Sequence, residues 1–224
     1  MGGTIPKGKG LTMDGFTPEA PGRPPLWRAD FSFVEKPALE AMDGAEWRMI
    51  EAQRKAYMAG RQAELVLDLF SAARDDASFG YPVSMYAHGL QAGTMALQSG
   101  ADEEFVVVSL LHDIGFTMAG ASHGEFAAAL LRPFISERNR WVLEMHQLFQ
   151  TAHAHDHPHF DGHERDRFFG HPFFADAADF VARFDQNAID PNFPTYPIEA
   201  FAPMVRRLFA KPPARRFEAG QVVR

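Results

Sequence analysis

The chain contains no cysteine. Disulfides, thiolate metal sites and cysteine nucleophiles are therefore excluded, and any bound metal has to be held by His, Asp and Glu. A basic surplus is missing too: 22 Lys and Arg against 29 Asp and Glu leave a formal charge of −7. A nucleic-acid binder needs a basic face, so no nucleic-acid partner is expected. No hydrophobic run is long enough to span a bilayer; the best, 105–111, is interrupted by Ser109. Residues 1–10 lack the apolar core of a signal peptide, and Pro6 stands where N-myristoylation requires Ser or Thr. The expectation is a soluble, cytoplasmic protein with no membrane partner. With 224 residues, 46% apolar and 23% charged, the composition is that of a globular protein with a substantial core, and disordered or collagen-like scaffolds are excluded.

Strand-like alternation is absent as well, and the periods that do occur are helical. Residues 1–37 carry many Gly and Pro and read as an extended arm; 38–210 read as one helical bundle, and 211–224 as a basic, Pro-containing tail. Within the bundle, a helical period runs over 44–73, and a second helix over 83–98 stops at Ser99-Gly100. Asp102, Glu103 and Glu104 open a third helix, since acids complement the dipole at a helix N-terminus. That helix is apolar all round (105–111), which marks it as central, and it ends at His112-Asp113. Ser122 and Glu125 read as a capping box for a fourth helix ending near Pro133, and Ser136 opens a fifth. A loop rich in His, Asp and Phe follows over 153–170, then helices over 174–184 and 197–209. The fold class expected is all-α.

Histidine is missing from the first 87 residues and then abundant, with ten in all. His112-Asp113 ends the most buried helix, where a carboxylate beside an imidazole is costly unless a positive charge neutralises it. A metal ion does so. His88 lies 24 residues upstream on the preceding helix, and a short Ser-Gly-Ala link between antiparallel helices brings such residues face to face. Asp185, read as helical, completes a four-residue site for one metal. His123 and His146, 23 residues apart on the two following helices, exceed what one ion needs. They suit a second metal, with Asp113 bridging the pair. Imidazole and carboxylate donors without thiolate favour iron or manganese over structural zinc. Each element also has a plainer reading: a lone buried His is more often a hydrogen-bonded core residue, and Asp176 and Asp179 compete with Asp185.

The order His88, His112-Asp113, His123, His146, Asp185 resembles the HD-domain superfamily in its six-ligand, two-metal version. The wording His88-Gly-Leu-Gln91, Ser99-Gly-Ala-Asp102, Leu110-Leu-His-Asp-Ile-Gly115 and 123–132 is similar to one branch, the mixed-valent di-iron oxygenases that include phosphonate-cleaving oxygenases and myo-inositol oxygenase. The resemblance covers residues 81–190. It implies that His88, His112, Asp113 and Asp185 hold one iron and that Asp113, His123 and His146 hold the other. It further implies an Fe(II)/Fe(III) pair, with His112 and Asp113 at the catalytic centre and a small hydroxylated substrate and O2 as partners. Tyr81, Gln91 and Gln150 are then the candidate substrate contacts. Tyr81 reads either as a phenol reaching an open metal position or as a packed ring in the Gly80-Tyr81-Pro82 turn. Phe116, Gln150 and Tyr81 replace a His, a Lys and a Glu of the phosphonate-cleaving pattern, and the missing Lys argues against that one substrate. The alternative function is a metal-dependent phosphohydrolase using Mn or Zn; few Arg or Lys lie between Tyr81 and His146 to bind a phosphate ester. The loop histidines read as a solvated surface or as the rim of the site. No residue pattern specifies an oligomeric state.

Overall fold

The computed structural model describes residues 20–214 together with 217–218 and 221–222. Its helices are α1 (Gly44–Ala72), α2 (Met85–Gln98), α3 (Glu103–Leu111), α4 (Phe116–Ala119), α5 (His123–Leu131), α6 (Glu137–Gln150), α7 (Phe174–Arg183) and α8 (Ile198–Ala210). A two-residue antiparallel ladder, β1 (Phe217–Glu218) with β2 (Gln221–Val222), follows in the tail. The protein is all-α, as its sequence predicts. The arm expected over 1–37 falls outside the described residues for 1–19, as do 215–216, 219–220 and 223–224 of the tail.

Local chemistry explains most of the boundaries. The side chains of Ser84, Asp102 and Ser136 accept hydrogen bonds from the backbone N–H groups of Ala87, Phe105 and Asn139, capping α2, α3 and α6. Gly100, at φ +78°, takes the left-handed conformation that stops α2. Two expectations need correction. Ser122 does not cap α5: it closes a 3-10 turn, Gly120–Ser122, and its hydroxyl turns back to donate to Ala119 O. Asp185 is not helical, because α7 stops at Arg183 and Asp185 begins a separate 3-10 turn, Asp185–Asn187.

The chain divides into two compact units, Met1–Gln53 and Arg54–Arg224. In the first, an extended segment leads through a 3-10 turn, Leu39–Ala41, into the start of α1. Here a reciprocal capping box does occur. Asp43 Oδ1 accepts from the N–H groups of Ala45 and Glu46 at 2.7 and 2.9 Å, and Glu46 Oε2 accepts from Asp43 N–H at 2.9 Å. Gln53 clasps Ser32 through both ends of its amide.

The second unit is organised about α3. Val106, Val107, Val108, Leu110 and Leu111 are all essentially buried, and removing each from water is worth about 1.5–3 kcal/mol. Helices α2, α6 and α8 pack against α3, while α6 also packs against α5 and α7. The α2–α3 contact depends on Gly89. A Cβ there would stand 2.5 Å from Leu110 O and 2.6 Å from the Phe70 ring. At the other end of α3, the Glu104 carboxylate accepts from Ser136 N–H at 2.7 Å and from the Asn139 amide at 2.8 Å, fastening the start of α6.

Two outcomes follow. Gly89→Ala overpacks the α2–α3 seam and should cost about 1–3 kcal/mol in urea denaturation; an unchanged midpoint would contradict the packing argument. Burial pushes the Glu104 carboxyl up, but its hydrogen bonds from Ser136 and Asn139 and the Lys211 charge outweigh burial and hold it below its ordinary value. Its contribution is therefore complete above about pH 4.3 and lost as pH falls through the lower folded-state value. Glu104→Gln should be less stable at neutral pH and lose less stability on acidification than the parent, as followed by denaturation across pH 3–7.

Candidate metal centre

Five backbone elements deliver six polar side chains to one point in the core. His88 projects from α2, His112 follows the last residue of α3 and Asp113 comes next. His123 opens α5, His146 lies on α6 and Asp185 starts the turn after α7. The four histidines and Asp185 are at most 4% exposed, and the Asp113 side chain is 10% exposed.

The Asp113 carboxylate divides the group in two. Its Oδ1 lies 3.1 Å from Nε2 of both His123 and His146, and those nitrogens are 3.1 Å apart. Its Oδ2 lies 3.4 Å from His88 Nε2 and 3.6 Å from His112 Nε2, which stand 2.9 Å from each other. Asp185 Oδ1 joins this second half, 3.4 and 3.5 Å from the same two nitrogens.

The opposite ring nitrogens fix which atoms face inward. Nδ1–H of His112, His123 and His146 donates to the carbonyl three residues earlier, at Ser109, Gly120 and Leu143, over 2.8, 2.6 and 2.7 Å. His88 Nδ1–H donates instead to Ala188 O at 2.9 Å, 100 residues away. All four Nε2 atoms thereby face the centre, the orientation a metal-ligating histidine requires. Gly124 has a part in this. A Cβ at Gly124 would come within 2.6 Å of Leu143 O, the carbonyl that orients His146.

Among the described residues the two carboxylates, Asp113 and Asp185, lack a Lys or Arg partner, and the buried Oδ2 of Asp185 has no hydrogen-bond partner. Buried carboxylates are tolerated when paired or bound to metal. Burial opposes charge on Asp113, yet the surrounding imidazoles hold its carboxyl well below the usual range. Burial likewise opposes charge on Asp185, but the hydrogen bonds and charges of His112 and His88 lower it. His88 is raised, burial notwithstanding, by Asp185 and Asp113. The spacing suits metal ligation: with metal–nitrogen bonds of about 2.1 Å, ligands at right angles stand about 3.0 Å apart. The triads His88, His112, Asp185 and His112, Asp113, His146 each keep their ligand atoms within 4.8 Å of one another. Phe180 packs edge-on against His112, and Phe116 lies 5.0 Å from the His123 ring.

The three expected substrate contacts sit differently. Gln150 Nε2–H donates to Asp185 Oδ1 at 3.3 Å, beside the cluster. Gln91 is buried, but both ends of its amide are engaged by the Asp190 backbone, at 2.8 and 3.2 Å, so it tethers the segment after Asp185. Tyr81 is half exposed on the loop before α2, and no hydrogen bond or ion pair joins its phenol to the six side chains. Its ring lines a small apolar recess with Phe79, Val83 and Thr117. Of the loop histidines, 155, 157, 159 and 163 are exposed and His171 stacks on Trp141. The Nε2 of His153 is buried and has no hydrogen-bond partner. Ala188 and Gln91 as orienting groups carry no sequence signal, because their partners lie about a hundred residues away.

Removing one half should leave the other. His146→Ala is expected to lower metal content, measured by elemental analysis, from about two ions per chain to about one, while Asp113→Ala loses more; unchanged content in both variants would refute the arrangement as a metal site. No family model matches the chain. A segment of 56 residues, 25% of the chain, is 43% identical to the [1-hydroxy-2-(trimethylamino)ethyl]phosphonate dioxygenase (glycine-betaine-forming) of Leisingera caerulea, and the match spans 29% of that protein's length.

Proposed function

We propose that the protein is a di-iron oxygenase that uses O2 to oxidise a small hydroxylated substrate at the C–H bond beside its hydroxyl, breaking a neighbouring bond. The observation that carries this reading is the division of Asp113: each carboxylate oxygen faces its own pair of imidazole nitrogens. A single ion would need only one half. The donors are nitrogen and oxygen alone, which suits iron or manganese. The similarity of one quarter of the chain to a phosphonate dioxygenase supports oxygenase chemistry and a 1-hydroxyphosphonate as the first substrate class to test.

Bound iron would supply a Lewis acid for the substrate's oxygen donors and electrons for dioxygen. His88, His112, Asp113 and Asp185 would hold one ion, and Asp113, His123 and His146 the other. The four Nδ1–H donations hold each imidazole correctly turned and unable to swing away. Gln150 steadies Asp185 through its amide and stands where a substrate would meet that side of the cluster. Phe180 and Phe116 keep water from the rings of His112 and His123. Asp113, the most exposed of the six, marks the side on which substrate can approach.

The iron-loaded protein is expected to consume O2 and release inorganic phosphate from a 1-hydroxyalkylphosphonate, and to release none under argon. Phosphate release from a phosphomonoester under argon, by Mn- or Zn-loaded protein, would replace this reading with the phosphohydrolase.

A further inference from the structure

Helix α2 carries three buried polar side chains at three-residue spacing: His88, Gln91 and Thr94. Each takes a main-chain partner from one stretch of chain about a hundred residues later. His88 Nδ1–H donates to Ala188 O at 2.9 Å. The Gln91 amide donates to Asp190 O at 2.8 Å, and its oxygen accepts from Asp190 N–H at 3.2 Å. Thr94 Oγ1 accepts from Tyr196 N–H at 3.1 Å. The stretch 188–196 is therefore docked on α2 through its backbone groups.

Asp185 stands at the near end of that stretch. It opens the 3-10 turn Asp185–Asn187, and its carbonyl accepts from Ala188 N–H at 3.0 Å. Ala188 is thus held between the backbone of Asp185 and the ring of His88, and Gln91 fixes the chain two residues further on. A buried amide satisfied at both ends by one residue sets the register, because a slip of one residue leaves a buried donor and acceptor unmatched. Thr94 grips the chain six residues beyond Asp190, too far along to govern the Asp185 carboxylate.

We propose that Gln91 is a positioning residue for the metal ion of the His88–His112–Asp185 half, acting through the Asp190 backbone to place the Asp185 carboxylate. Docking of 185–190 on α2 and metal binding at that half then stabilise each other, since both fix the same carboxylate. The inference rests on the six side chains holding metal, and not on the oxygen chemistry proposed for them. The His123 and His146 rings are oriented from their own stretches of chain, so their half is independent of the tether.

Mn(II), titrated by calorimetry into the metal-free protein, is the probe. Gln91→Met keeps the length of the side chain and removes both hydrogen bonds. It should weaken one of the two sites about 10–100-fold and leave the other unchanged. Thr94→Val, which loses the far tether, should leave both sites within about twofold of the parent. In a His146→Ala background Gln91→Met should weaken the remaining site, and in an Asp185→Ala background it should change nothing further. Hydrogen exchange of the parent, followed by mass spectrometry, needs no variant: Mn(II) should slow exchange over 186–190 about tenfold or more and leave 193–196 little changed. Unchanged Mn(II) affinity in Gln91→Met, or an equal loss in Gln91→Met and Thr94→Val, would overturn the positioning role. So would exchange over 186–190 that ignores the metal, or a parent that binds no Mn(II). Failure of the oxygenase reading looks different: Gln91-dependent Mn(II) binding, with no O2 consumption by the iron-loaded protein, would remove the reaction and leave the positioning role standing.

Discussion

Two carboxylates lie among four imidazoles inside an apolar helical core, and neither is paired with lysine or arginine among the described residues. Such an arrangement is unfavourable by itself. It is tolerated when positive charge, on a bound cation or on a protonated imidazole, lies among the donors and when each donor is held against turning away. The protein meets the second condition with backbone carbonyls. Three of the four histidines donate to the carbonyl three residues earlier, so the stretch of chain just before each ring (the end of α3, the Gly120–Ser122 turn and α6) also fixes its rotation.

That mode of orientation explains why the helices approach so closely. A ring fixed to its own helix can meet its partners only if the helices themselves come together, and glycine permits this beside two of the ligand candidates. Gly89 follows His88 and lets α2 settle against the Leu110 carbonyl; Gly124 follows His123 and lets α5 settle against the Leu143 carbonyl. The second contact is the more consequential, because Leu143 O is also the acceptor for His146. Packing and ligand geometry are thus set by the same few atoms, and a methyl group there would disturb both.

Much of this was legible in the sequence because it is local. The apolar run of α3, the acidic residues at its start and the Gly100 stop are properties of short windows, and the helices appear where those windows put them. The His-Asp dipeptide and the spacing of His88, His123 and His146 likewise reflect helix length and connection length. The errors have a common cause, which is that a short pattern does not report what its neighbours do. Ser122 and Glu125 have capping-box spacing, but the chain enters α5 from a 3-10 turn that directs the hydroxyl backwards. The box that forms, Asp43 with Glu46, has the same spacing and a different approach. Gln91 lies three residues from His88 and reads as a neighbour of the cluster, yet its amide is engaged by a backbone 99 residues away.

Asp185 is the ligand candidate that spacing alone placed least well, and the reason is instructive. Unlike the histidines, it has no helix to fix it, since α7 has already ended at Arg183. Its position is imposed from α2, where His88 holds the Ala188 carbonyl and Gln91 holds Asp190 by two hydrogen bonds. Gln150 on α6 grips the carboxylate from the other side. One half of the cluster is consequently assembled by contacts spanning about a hundred residues, while the His123–His146 half closes over 23. Closing the longer loop carries the greater entropy cost and depends on both helices being formed already. The geometry therefore makes the placement of Asp185 depend on the α2 tether, through Ala188 and Asp190, as well as on its own position in the chain.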